Sequence, residues 1–192
     1  MTISVAAVDS EQACSELEQR DALGRLQWGL DTFGDGFALT TSFGIQAAVS
    51  LHLISRLDRS VSVIWVDTGY LPPETYTYAE ALMERLGLRV HVAQADMSPA
   101  RMEALHGRLW ETGRVEDLET YHRIRKVEPL DRAMAELNVS CWASGVRGRQ
   151  TDHRSAMQPL ALVRGRWALR PLLDWTSRDV YYYMQEHDLP QH

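Results

Sequence analysis

Cysteine is almost missing: the 192 residues hold two, Cys14 and Cys141, and no C-x-x-C pair. That excludes a disulfide scaffold or a zinc ribbon and points to a reducing, cytoplasmic compartment. Lysine is rarer still, since of 20 basic residues only Lys126 is a lysine. No apolar run approaches the roughly 20 residues of a membrane span, and no basic-then-apolar leader opens the chain, so neither a membrane partner nor export is expected. The Walker pattern G-x-x-x-x-G-K-[ST] and the dinucleotide pattern G-x-G-x-x-G are both missing. The histidines at 52, 91, 106, 122, 153, 187 and 192 form no i, i+4 pair and have no cysteine beside them, so no metal site is expected. A net charge of −6 gives no reason to expect a nucleic acid partner.

What is present fits a single domain over residues 1–192. Hydrophobic content of 45% with 24% charge is an ordinary globular balance, and this length buries about two-thirds of the unfolded surface. The chain is organised around residues 40–50, where an apolar run stops at Thr40, Thr41, Ser42, Phe43 and Gly44 and a helical pattern then begins. A strand, tight turn and helix start of this kind leaves unpaired N–H groups at the positive end of the helix, and small side chains let an anion approach.

The spacing predicts one helix over 11–33, opened by Asp9 or Ser10 and ended by Gly34-Asp35-Gly36, then a strand at 37–41 and a helix at 45–57. A second strand, 61–66, stops at Asp67, Thr68 and Gly69. Pro72-Pro73-Glu74 opens a helix over 74–86 closed by Gly87, and 88–93 is the next strand. Residues 98–138 read as helical throughout, in three helices over 99–110, 116–121 and about 127–137. The cluster His122-Arg123-Ile124-Arg125-Lys126 within them reads as a solvated helix face. A strand at 139–145 leads into Val146-Arg147-Gly148-Arg149-Gln150-Thr151-Asp152-His153-Arg154, three arginines and a histidine with one acidic residue, which suits an anion clamp. Strands at 160–163 and 166–170 form a hairpin turning at Arg164-Gly165. Thr176 or Ser177 caps a last helix, on which Tyr181-Tyr182-Tyr183 are expected to pack with two rings half-exposed. The alternation implies a mostly parallel sheet flanked by helices, with ligands outside the carboxyl ends of its strands.

Five ordered motifs then resemble the assimilatory phosphoadenylyl-sulfate reductases. They are Ser42-Phe43-Gly44-Ile45-Gln46-Ala47-Ala48-Val49; Asp67-Thr68-Gly69-Tyr70-Leu71 with Pro73-Glu74-Thr75-Tyr76; Lys126-Val127-Glu128-Pro129-Leu130; the 145–154 loop; and Pro171-Leu172-Leu173-Asp174-Trp175. The resemblance implies an α/β fold of the adenine nucleotide alpha-hydrolase type and 3'-phosphoadenylyl sulfate as substrate. It implies that Thr41, Ser42, Phe43, Gly44, Ile45 and Gln46 lie against phosphate groups, that Asp67, Thr68 and Gly145 lie near the adenosine, and that Gly69 belongs to the same substrate site. Lys126, Arg147 and Arg154 would meet the phosphosulfate. It implies sulfonyl transfer to a cysteine thiolate and release of sulfite by thioredoxin or glutaredoxin.

The family's nucleophile lies in a C-terminal Glu-Cys-Gly-Leu-His motif that these 192 residues do not reach. Cys14 and Cys141 read as structural thiols, so the residues given are expected to bind nucleotide without reducing it. Gly148-Arg149 stands where the family commonly has Arg-Glu. The related adenylyl-sulfate reductases hold an iron-sulfur cluster through paired cysteines just before the Lys-Val-x-Pro segment. Arg123-Ile124-Arg125 stands there instead, so no cluster is expected, and Arg123 and Arg125 are candidates for the 3'-phosphate. The alternatives are an adenylyl-sulfate reductase lacking a cluster, an ATP-pyrophosphatase relative, and a nucleotide-binding module without catalysis. A homodimer is a further possibility.

Overall fold

The computed structural model describes residues 8–44, 47–148 and 157–192. Six strands form one sheet: β1 (Phe37–Thr41), β2 (Ser62–Asp67), β3 (Val90–Gln94), β4 (Cys141–Ser144), β5 (Leu160–Val163) and β6 (Arg166–Leu169). Their order across the sheet is β3-β2-β1-β4-β6-β5. Every pairing is parallel except β5 with β6, a hairpin in which Val163 faces Arg166.

Side chains alternate across the sheet with the period of two that strands impose. Phe37, Leu39, Val63, Trp65, Cys141, Ala143, Trp167 and Leu169 enter the larger core on one face. Ala38, Ile64, Trp142 and Ala168 enter a smaller core on the other. The larger core is closed by α1 (Ser10–Glu18), α2 (Ala22–Phe33), α3 (Ala47–Leu57), α4 (Pro73–Leu86) and α8 (Ser177–Glu186), and the smaller by α7 (Glu128–Glu136). Between β3 and α7 run α5 (Pro99–His106) and α6 (Val115–His122), with a π-helical turn at Arg123–Val127.

Three expectations are corrected. The single helix over 11–33 is two helices, because Asp21 is extended and its carboxylate accepts from Gly24 N at 2.7 Å, starting α2 afresh. Arg25 Nε then donates to Leu17 O at 2.9 Å, closing the last turn of α1. Of the three helices expected within 98–138, the second and third stand close to their expected bounds, but the first, expected over 99–110, ends at His106. Gly107 caps α5, and the chain runs in turns to Arg114, the N-cap of α6. The strand at 139–145 is shorter than expected, since Ser140 N donates across to Gly36 O at 2.9 Å in the turn that precedes β4.

Helices α3 and α4 carry the chain outward from β1 to β2 and β3, and the segment after β3 then returns it to β4 on the other side of β1. The sheet therefore reverses direction between β1 and β4, where an open parallel sheet leaves a crevice at its carboxyl edge.

Candidate functional site

A cavity of about 870 Å³ opens at that crevice. Its floor is the ends of β1 and β4. Thr40, Thr41, Ser42 and Gly44 line one side, and Ser144, Gly145, Val146 and Arg147 the other. Thr40 Oγ1 donates to Ala143 O at 3.1 Å, tying the two strand ends together.

The turn after β1 is held by Phe43. Its backbone is left-handed at φ 49°, which is uncommon for a side chain of this size. Its ring is buried edge-to-face on Trp65, centroids 4.9 Å apart, while its N–H donates to Thr41 Oγ1 at 3.1 Å. Phe43 thus fixes the turn from beneath, and its side chain lies in the core rather than in the cavity. Ala47 and Ser50, on α3, complete this wall. The Ser50 hydroxyl is buried without a hydrogen-bond partner among the described residues. A Cβ on Gly145 would stand 3.3 Å from it, so the glycine keeps the wall open there.

At the end of β2, Thr68 and Leu71 line the cavity but Asp67 and Gly69 do not. The Asp67 carboxylate is committed to the protein, accepting from Gly69 N at 2.8 Å, Tyr76 OH at 2.8 Å and Gln94 Nε2 at 2.7 Å. Burial would raise its pKa, but those bonds and the charge of Arg125 outweigh burial and hold it below the ordinary carboxylate value. Gly69 is left-handed (φ 74°), and a Cβ there would meet Pro99 Cγ at 2.7 Å and Arg125 Nη2 at 3.0 Å.

The π-helical turn separates two neighbours of like charge. The extra residue that a π turn inserts rotates the side chains that follow, and Glu128 N here donates back to Arg123 O. Arg125 is buried, with Nε donating to Thr68 O at 2.8 Å, Nη1 donating to Met97 O, and the guanidinium 5.2 Å from the Tyr70 ring centroid. Lys126 lines the cavity, its Nζ 5.8 Å from the Tyr121 ring centroid. The expectation that Arg125 meets a 3'-phosphate is not met by this geometry, because Arg125 is buried behind the cavity and does not line it, with Nε and Nη1 turned onto backbone carbonyls. Arg123 points to solvent and pairs with Glu128. Tyr70, Trp110 and Tyr121 pack together beside these cations, with centroids 4.6 to 6.1 Å apart.

Arg147 is buried and donates from Nη1 to Ser177 Oγ at 3.3 Å. The segment that carries it is anchored by the Pro171–Trp175 motif: Leu173 O accepts from Gly148 N at 2.7 Å, and Asp174 takes both ends of the Arg25 guanidinium at 2.6 and 3.1 Å. That motif holds the loop root without lining the cavity. Ile45, Gln46 and Arg154, with Arg149 and His153, lie outside the described residues.

Of the described candidates, Thr41, Ser42, Gly44, Thr68, Lys126, Gly145 and Arg147 come together around one cavity, whereas Phe43, Asp67 and Gly69 support it from behind. Sequence reasoning missed Ser50, Leu130 and Arg164, which also line it. Arg164 reaches the far rim from the β5–β6 turn and pairs with Asp131 at 3.2 Å. Nothing in the spacing of a hairpin arginine indicates that role.

Neither cysteine lies on the cavity. Cys141 opens β4, three residues and therefore about 10 Å before the end that lines it. Burial pushes its thiol strongly upward. Cys14 Sγ is buried and donates to Leu160 O at 3.3 Å. No helix among the described residues is long and apolar enough to cross a membrane, and no cluster of three or more His, Cys, Asp or Glu that could hold a metal occurs among them.

Residues 36–192 match the family model of the phosphoadenosine phosphosulfate reductase domain. A phosphoadenosine 5'-phosphosulfate reductase of Synechococcus is 53% identical over 178 residues, which is 93% of this chain and 77% of the relative. The Escherichia coli reductase is 46% identical over 178 residues, 93% of this chain and 72% of the relative. Among solved structures, the phosphoadenylyl-sulfate reductase of Candida auris in a phosphate complex superposes with a TM-score of 0.82 at 26% identity, over 100% of this chain and 91% of that one. An NH3-dependent NAD synthetase of Campylobacter jejuni shares the fold alone, with a TM-score of 0.56 at 18% identity over 95% of this chain and 75% of that one.

Proposed function

The chain belongs to the phosphoadenosine phosphosulfate reductase family, and from that premise we propose how its cavity serves the reduction of 3'-phosphoadenylyl sulfate to sulfite and adenosine 3',5'-bisphosphate in sulfate assimilation. One observation carries the reading: a cavity of nucleotide size at the strand reversal is bounded by Lys126, Arg147 and Arg164 in a protein of net charge −6. The substrate brings several negative charges, and fixed cationic donors at its binding place are what such a ligand needs.

In this reading Thr41, Ser42 and Gly44 take phosphate groups, together with Ile45 and Gln46. Thr68 and Gly145 flank the adenosine, and Asp67 and Gly69 hold Thr68 in place. Lys126, Arg147 and Arg154 neutralise the phosphosulfate. The buried Ser50 hydroxyl donates to the ligand, which would satisfy it.

A thiolate attacks the sulfonyl sulfur. A sulfur–sulfur bond forms as the sulfur–oxygen bond to the 5'-phosphate breaks, and the electron pair leaves on the phosphate, whose charge the cavity cations stabilise. A dithiol partner such as thioredoxin or glutaredoxin then supplies two electrons, leaving as a disulfide while sulfite departs. We assign the nucleophile to neither Cys141 nor Cys14, since both thiols are buried and neither residue lines the cavity. The family resemblance places the nucleophile in a C-terminal Glu-Cys-Gly-Leu-His motif. No iron-sulfur cluster is assigned, since Arg123-Ile124-Arg125 occupies the place of the paired cysteines.

Calorimetric titration with adenosine 3',5'-bisphosphate, adenosine 5'-phosphate and ATP in parallel, at fixed salt, tests the binding reading. Preference for the bisphosphate is expected. Preference for adenosine 5'-phosphate would move the substrate to adenylyl sulfate, and preference for ATP, or no binding, would overturn the assignment. Turnover of a C-terminally extended protein with thioredoxin tests the chemistry separately.

A further inference from the structure

A second basic recess lies at the other end of α3. It measures about 230 Å³ and is lined by His52 and Arg56 of α3, Arg59 of the following turn, Arg85 near the end of α4, and His187 after α8. No carboxylate lines it. Three guanidinium groups converging in a protein of net charge −6 would ordinarily be met by acidic side chains. Here they largely are not. Asp188 reaches Arg85 Nη2 at 3.3 Å, but its side chain is 98% exposed, so the pair is screened by water. Asp58, next to Arg59 in sequence, turns instead onto Ser60, accepting from its N–H at 2.7 Å and its hydroxyl at 2.6 Å. Neither Arg56 nor Arg59 forms an ion pair among the described residues.

The wall behind the arginines is ordered by contacts. Tyr183 OH and His52 Nδ1 are 2.9 Å apart, and the His187 ring centroid lies 4.7 Å from that of His52 and 4.3 Å from that of Tyr183. Arg59 is laid across Gly87, where a Cβ would stand 3.4 Å from Nη1. The potential inside is positive. His52 is held below its ordinary pKa first by burial, then by His187, Arg56 and Arg85.

Arginines near the ends of α3 and α4 complement the negative ends of those helices, an effect of about 0.3–1 kcal/mol that decays within one turn. That accounts for each arginine singly and not for their convergence on one hollow. The hollow is smaller than the roughly 300 Å³ at which drug-sized ligand pockets begin, and it is bounded by cationic forks suited to a tetrahedral anion.

We propose that the recess between the C-terminal ends of α3, α4 and α8 binds a tetrahedral oxyanion, sulfate or phosphate, separately from the strand-end cavity. The anion is either the free ion or a phosphate group at the end of a larger molecule.

The test follows the imidazole resonances of His52 and His187 by NMR in the 192-residue chain, at constant ionic strength. One arm adds sodium sulfate or inorganic phosphate, and the other adds adenosine 3',5'-bisphosphate. Saturable shifts of both histidines with the inorganic ions are expected. In an Arg56→Gln, Arg59→Gln double variant the affinity falls by about tenfold or more, while Arg56→Lys with Arg59→Lys retains it. Both arginines are exposed, so the thermal midpoint stays unchanged. Tighter binding at these histidines in the bisphosphate arm assigns the site to a nucleotide's phosphate group, and weaker binding there assigns it to the free ion. Shifts that never saturate, or that are equal in the native chain and the glutamine variant, overturn the proposal.

Discussion

At the scale of single residues, Arg125 and Lys126 show how adjacent cations in one sequence cluster take opposite duties. Arg125 is buried with its donors on Thr68 O and Met97 O. Replacing it by Met strands both carbonyls in the interior and should remove about 3 kcal/mol of stability, read as a lowered urea midpoint. Lys126 is exposed on the cavity wall. Lys126→Ala should leave the midpoint nearly unchanged and weaken bisphosphate binding by about 10- to 100-fold, read by calorimetry. The sequence located the cluster but not this division, because a helical period of 3.6 assigns faces wrongly across a π turn. Asp67 carries the pH dependence. Its folded carboxyl is held below the unfolded value of about 3.9, so the native state stays charged while the unfolded chain takes up a proton. The stability it contributes is fully present above about pH 4 and is lost as the pH falls through the folded value. Asp67→Asn should therefore flatten the acid limb of a plot of urea midpoint against pH.

At the scale of elements, the parallel alternation was legible because each buried strand is a short apolar run bounded by polar or glycine stops. The bounds of β1 agree with those read from the sequence. The break between α1 and α2 was not legible. No glycine or proline interrupts residues 11–23, and only the Asp21 cap marks the break. The fit of α2 against the sheet is equally silent in the sequence, since it rests on the absence of a side chain at Gly29. A Cβ there would lie 3.0 Å from Phe37 Cδ2 and Cζ and closer still to Cε2. Phe37 is buried and has no room to retreat. Gly29→Ala improves helix propensity by up to about 1 kcal/mol, yet overpacking at about 1–3 kcal/mol should exceed that gain. A net loss of stability is the expected outcome. An alanine variant that melts at a higher temperature would show that α2 can move off the strand.

At the scale of the whole molecule, the place of the cavity was readable while its composition was only partly so. A strand-end site follows from parallel topology, and two strand ends rich in small polar residues marked β1 and β2. The reversal between β1 and β4 depends on where the long helical segment returns the chain, which no local pattern encodes. Ser50, Leu130 and Arg164 reach the cavity from three separate elements for that reason. The same topology makes α3 a bridge, with Ala47 and Ser50 on the strand-end cavity and His52 and Arg56 on the second recess. Eleven residues of helix span about 16 Å. Two doubly charged anions at that separation repel by about 1 kcal/mol in water without salt, and screening over a Debye length of about 8 Å at physiological ionic strength reduces this to about 0.1 kcal/mol. Saturating the chain with adenosine 3',5'-bisphosphate should therefore weaken sulfate binding at His52 and His187 by less than about twofold at 0.15 M salt. The reciprocal effect of sulfate on bisphosphate affinity must be equal, because linkage requires it. A tenfold antagonism would mean that α3 shifts between two positions as the sites fill, and equal antagonism at high salt would rule out charge repulsion as its cause.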